Sequence, residues 1–127
     1  MNAVKLFKKS HQEFLRLIHE FVANDGVSAD TCRRETFDNL EEAFSFYAAI
    51  KEQIFYPELE KTEETKHLIQ KSKKELHRIK EILSKMKSES GDWKNNLSEL
   101  KESVCDYVKK EETEVFPKVE RVLGDKE

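Results

Sequence analysis

Apolar residues recur at alternating intervals of three and four along four separate stretches of this chain. That period constrains the fold more than any other feature. Residues 4 to 22 show it first: Val4, Phe7, His11, Phe14, Ile18 and Phe21 are spaced 3, 4, 3, 4, 3, with Lys5, Lys8, Lys9, Gln12, Glu13 and Arg16 off the stripe. An α-helix gathers such positions on one face, so the stretch predicts an amphipathic helix with one buried side. Residues 33 to about 60 repeat the pattern through Phe37, Leu40, Phe44, Tyr47, Lys51 and Ile54, with Phe46, Ile50 and Phe55 flanking. A third helix, ending near residue 88, carries Ile69, Ser72, Leu76, Ile79, Leu83 and Met86. A fourth carries Leu97, Leu100, Val104, Tyr107, Glu111, Val115, Val119 and Val122.

Short breaks separate the four. Residues 24 to 35 lose the period and contain Gly26, with Asp30 or Thr31 as the cap of the second helix. Residues 62 to 65 make a tight turn with Thr62 as cap, and residues 88 to 92 make the last, ending on the cap Asp92. Only 3 Gly and 2 Pro occur in 127 residues, which argues against an all-β fold with its many turns. Helices of this length run about 30 Å. Joined by short loops, they predict an all-α, up-down-up-down four-helix bundle, one domain over residues 1–127.

Several function classes fall away. The formal net charge of -3 gives no reason to expect nucleic acid. No run of 18 apolar residues exists, so no membrane helix is expected. Residues 1 to 9 lack the apolar region of a signal peptide. Cys32 and Cys105 show no metal spacing, and Cys105 is expected to be a packed thiol. A reducing, cytoplasmic setting is the expectation. No nucleophile–base–orienter set and no phosphate-binding Gly loop occurs, so no enzyme activity is expected.

One pattern occurs twice. Tyr47, Lys51, Glu52, Tyr56 and Pro57 form Y-x3-K-E-x3-Y-P, and sixty residues on Tyr107, Glu111, Glu112, Phe116 and Pro117 form Y-x3-E-E-x3-F-P. The first two positions of each copy lie one helical turn apart, so two helices turn a Tyr and an ionisable group toward one interior. His11 joins them from the first helix's stripe. Glu52 and Glu112 sit one step off the stripe and are expected in solvent; His19, His67 and His77 are also off their stripes and expected at the surface. Pro57 removes a backbone donor and is expected to kink or end its helix.

With these residues in view the chain resembles the hemerythrin-like family over essentially its whole length. The resemblance rests on K-x2-H ending at His11, I-F-Y-P at residues 54 to 57, E-L-H-R-I-K-E-I-L from Glu75, and E-E-x-E-x-F-P at residues 111 to 117. It implies a four-helix bundle with a di-iron centre held by His and carboxylate ligands from all four helices. It places Tyr47 and Tyr107 where the family has His, and Lys51 where it has Glu. His11 and Glu111 stand at ligand positions; on the third helix Leu76 is on the stripe and His77 one residue off it. The resemblance implies oxygen binding, iron storage or redox sensing for members with the full ligand set.

The residues themselves point elsewhere. A di-iron or zinc site needs several imidazoles and carboxylates converging. An ammonium on the inward stripe would repel a metal cation in the same pocket. Lys51 paired with Glu111, with Tyr47, Tyr107 and His11 hydrogen-bonded around them, predicts a polar core with no metal and no cofactor. The chain would then be a regulatory, interaction or structural module. The alternative is an iron-, oxygen- or redox-active protein with an altered mono- or di-nuclear site using His11, Glu111, Tyr47, Tyr107 and His77. The third helix, where residues 66 to 87 hold eight Lys or Arg against Glu75 and Glu81, reads as a solvated basic face and is the candidate docking surface for an acidic protein partner.

Overall fold

The computed structural model describes residues 2–23, 30–87 and 93–123. Four rods make the bundle. The first is α1, Asn2–Ala23. The second is α2, Asp30–Ile50, continued through a wide π-type turn, Lys51–Phe55, into α3, Tyr56–Glu60. The third is α4, Glu63–Lys87. The fourth is α5, Trp93–Lys110, continued through a second π-type turn, Glu111–Val115, into α6, Phe116–Leu123. Among the described residues there is no strand, and none of their helices is long and apolar enough to cross a membrane. The all-α four-helix bundle stands as the periodicity predicts it. The second helix starts at Asp30, three residues before the expected 33. Loop residues 24–29 and 88–92, the Asp92 cap, and the side chains of Phe21, Asp30, Thr31, Cys32 and Val122 lie outside the described part.

α1 packs on α2 and α5, and α4 packs on α3 and α5. The inner stripes meet in one core containing Val4, Phe14, Leu40, Phe44, Leu76, Ile79, Leu100 and Val104. Burying such side chains is the main stabilising term, about 1.5–3 kcal/mol for each large apolar residue. The short turn between α3 and α4 is closed by the Thr65 hydroxyl, which donates to the Leu59 carbonyl at 2.6 Å, and by the Lys66 N–H on the Thr62 carbonyl at 2.9 Å.

Neither proline breaks its rod at its own position; the second rod ends three residues after Pro57, at Glu60, as expected. Each proline follows a turn of wider pitch: the Tyr56 N–H donates to the Lys51 carbonyl and the Phe116 N–H to the Glu111 carbonyl, five residues back in both cases. The wider turn takes up the proline ring, which would clash with the carbonyl of an ordinary preceding turn. It also inserts one residue into the stripe. Beyond it, Phe55, Tyr56 and Leu59 face inward, and Ile54, expected on the inner stripe, is 67% exposed. A period of 3.6 extended across the proline misassigns that position by one residue.

Candidate functional site

The duplicated motif meets itself at the centre of the bundle. Lys51 and Glu111 each open a π-type turn, on the second and fourth rods. Their side chains form an ion pair, Lys51 Nζ to Glu111 Oε1, with relative exposures of 0% and 1%. The Lys51 head does not reach water along its stem. It lies 4.7–5.8 Å from the ring centres of Phe7, Tyr47, Phe55, Tyr56, Tyr107 and Phe116. The electron-rich ring faces attract a cation, and more strongly where water is excluded.

From the pair a chain of hydrogen bonds runs through the core. The Ser72 hydroxyl donates to Glu111 Oε2 at 2.6 Å. Tyr56 Oη lies 2.8 Å from Ser72 Oγ and 2.9 Å from Tyr107 Oη. Tyr107 Oη lies 3.1 Å from Tyr47 Oη, which lies 2.7 Å from His11 Nε2. His11 Nδ1 lies 2.8 Å from Glu112 Oε2. Among the described residues no buried side-chain nitrogen or oxygen lacks a partner, as a buried polar network must achieve to be tolerated.

The chain ends on a carboxylate at each side. Its five inner groups, His11, Tyr47, Tyr107, Tyr56 and Ser72, join it by six links. In neutral form each of those groups donates one proton along the chain, so filling all six links takes one proton more.

Burial sets the direction of each titration. It pulls the His11 imidazole below its ordinary value, opposed by the bond to Glu112 and the charge of Glu111, while Lys51 adds to the pull. Burial likewise lowers the Lys51 ammonium, and Glu111 opposes it. The phenols of Tyr47, Tyr107 and Tyr56 are all driven upward, chiefly by burial and also by the Glu111 charge, so they keep their protons.

The structure brings together His11, Tyr47, Lys51, Tyr107 and Glu111. His77 stays outside: it is exposed and lies 3.7 Å from Glu81, while Leu76 is fully buried. Two members of the chain, Tyr56 and Ser72, were legible only as a motif flank and a stripe position. Glu112 corrects an expectation. Its side chain is 35% exposed and bonded to His11 instead of lying in solvent. A stripe is drawn on one helix and does not say which of its flanks a neighbour closes. Glu52 has the matching role at the surface, bonded to Lys80 of α4 at 3.0 Å. Cys105 is a second correction: it is exposed, not packed. Two residues before the inward Tyr107 is about 200° around a helix, the opposite side.

The donor set does not suit a di-iron centre. Both His11 nitrogens and both Glu111 oxygens are engaged within the chain. Among the described residues no three of His, Cys, Asp and Glu converge to hold a metal ion. A recess that reaches Glu111 beside Leu68, Ser72 and Val115 has roughly 10 Å³ of room, at the lower limit for one water.

Fold, motif and centre together define a hemerythrin-type bundle. Residues 2–119 match the family described as hemerythrin HHE cation binding domain, and the chain belongs to that family. Neither the curated proteins nor the solved structures contain a match.

Proposed function

We propose that this chain is a hemerythrin-family bundle whose centre holds a protein-borne cation in place of a metal. It acts through its surface, as a non-enzymatic regulatory, interaction or structural module. The observation that carries the reading is the buried Lys51 ammonium on Glu111, ringed by six aromatic side chains. A second cation in that pocket would meet strong repulsion at low dielectric. Removing the Lys51 charge would leave Glu111 buried and unpaired.

The third rod is the favoured docking face, and its charge is partly engaged. Lys73 bonds Glu60, Arg78 bonds Glu99, Lys80 bonds Glu52 and Lys87 lies 3.5 Å from Glu41. Such exposed pairs are each worth about 0–1 kcal/mol, so an acidic partner can displace them.

The test is elemental analysis of protein purified after growth in iron-rich medium. The expected result is no stoichiometric iron and an unchanged helical fold after chelation. Near-stoichiometric iron, or a visible phenolate-to-iron band, establishes the competing reading: an oxygen- or redox-active protein with an altered site on His11, Glu111, Tyr47 and Tyr107.

A further inference from the structure

The centre of the bundle can be read as a receptor as well as a core. Lys51 supplies the occupant, and everything within reach of its nitrogen comes from other residues. One carboxylate oxygen of Glu111 accepts from the ammonium. Six rings stand at 4.7–5.8 Å on the remaining sides. The other Glu111 oxygen is taken by Ser72. The three phenol oxygens are tied to one another, to His11 and to Ser72. The receptor therefore offers one carboxylate oxygen and a shell of π faces. That combination suits a single positive charge with N–H bonds to give and a soft, weakly hydrated surface. It suits a divalent or trivalent metal poorly, since such an ion requires several lone-pair donors in its coordination sphere.

We propose that the middle of this bundle is a site for one primary ammonium group, R–NH3+, whose permanent occupant is the chain's own Lys51. The site is a property of Glu111 and the six rings, and Lys51 is a tethered ligand. It rests on the reading of the centre as metal-free and adds what the centre recognises. Cutting the tether separates receptor from occupant. Lys51→Ala removes three carbons and the nitrogen, the outline of a propylammonium ion. The variant is expected to bind propylammonium from solution and to be stabilised by it.

The experiment is urea unfolding of full-length Lys51→Ala, monitored by circular dichroism, across a series of n-propylammonium concentrations. A ligand that binds only the folded state multiplies the folded-to-unfolded ratio by one plus its concentration over Kd, about a hundredfold at a hundred times Kd. The expected result is a saturable rise in the urea midpoint with propylammonium. Neutral 1-propanol at equal concentration does not reproduce it, and tetramethylammonium, with no N–H for Glu111, does not either. The rise is lost in Lys51→Ala/Glu111→Gln. Should Lys51→Ala be unfolded in plain buffer, the same ligand is expected to restore its helical signal.

Equal stabilisation by 1-propanol overturns the proposal, because the cavity is then a hydrophobic void without charge preference. Stabilisation by zinc or ferrous iron and not by propylammonium overturns it too, and shows the vacated centre to be a metal site. No stabilisation and no restored helix with propylammonium also overturns it. Stoichiometric iron in the wild-type protein is a different failure. It removes the metal-free reading before the variant is made.

Discussion

The two copies of the motif share one backbone and carry opposite contents. Each runs a Tyr, an ionisable residue one turn later, a Glu, a π-type turn and an aromatic–Pro pair. In the first copy the ionisable residue is the cation Lys51, and in the second it is the anion Glu111. The next glutamate in each copy leaves in a corresponding direction, Glu52 to Lys80 on α4 and Glu112 to His11 on α1. The outward flanks diverge. Phe46 and Ile54 are 71% and 67% exposed, and sixty residues on their counterparts are the exposed acids Asp106 and Glu114. Packing against three neighbours fixes the turn, the ring and the inward direction in both copies. The inward charge of each copy is matched by the facing copy, and the outward flank packs against no neighbouring rod.

Making the copies alike at their ionisable positions is the most drastic test. Tyr47→His, Lys51→Glu and Tyr107→His together write H-x3-E into both copies, beside the His11 and Glu111 already present. This triple variant is expected to take up more iron than the parent, read by elemental analysis and visible absorption. A triple variant that folds and takes up no iron shows that the ligands missing from α4 are decisive.

Breaking the pair from one side comes next. Lys51→Met leaves Glu111 buried without its cation and is expected to cost roughly 3–5 kcal/mol in urea or thermal melts. Lys51→Met with Glu111→Leu removes both charges, and most of that loss is expected to return, since an apolar pair of similar volume is often neutral or stabilising. An unchanged melt for Lys51→Met contradicts the ion pair. A double variant no better than the single shows that Glu111 also acts through Ser72.

The hydrogen-bond chain is more evenly shared between the copies. Tyr107→Phe removes the hydroxyl between Tyr47 and Tyr56 and is expected to cost about 1–3 kcal/mol in the same melts. Tyr47→Phe is expected to fall in that range as well. A cost near zero for both assigns the chain no part in stability.

The smallest effect belongs to the outward flank. Phe46→Lys and Ile54→Lys each place a charge where the second copy has one, and each is expected to change stability by no more than about 0.5 kcal/mol. A larger loss on chemical denaturation means that this flank is covered in the folded protein in solution.

Much of the centre was legible because its parts obey a period. His11, Tyr47, Lys51, Tyr107 and Glu111 fall on stripes, and a residue on the stripe of an amphipathic helix faces the core whatever its polarity. Ser72 also falls on a stripe, but nothing in the sequence says that its hydroxyl reaches Glu111 on another rod. Tyr56 and Glu112 escaped for different reasons. Tyr56 turns inward because the π-type turn inserts a residue before it, a change of pitch that a fixed 3.6 period does not contain. Glu112 lies on a flank, and whether a flank is open or closed is decided by the neighbouring rod.

Alone, the sequence determined four amphipathic helices, their order, the inward position of His11, Tyr47, Lys51, Tyr107 and Glu111, and the opposition of one cation to one anion. These come from local spacing, scarce Gly and Pro, and a repeat at sixty residues. Only the tertiary structure decided how those groups bond: Lys51 within six rings, Glu111 shared between Lys51 and Ser72, and a chain of hydroxyls leading to His11 and Glu112. The physical reason is range. Helical periodicity is set by bonds four residues apart, whereas a buried hydrogen bond depends on the seam between rods to within about half an ångström.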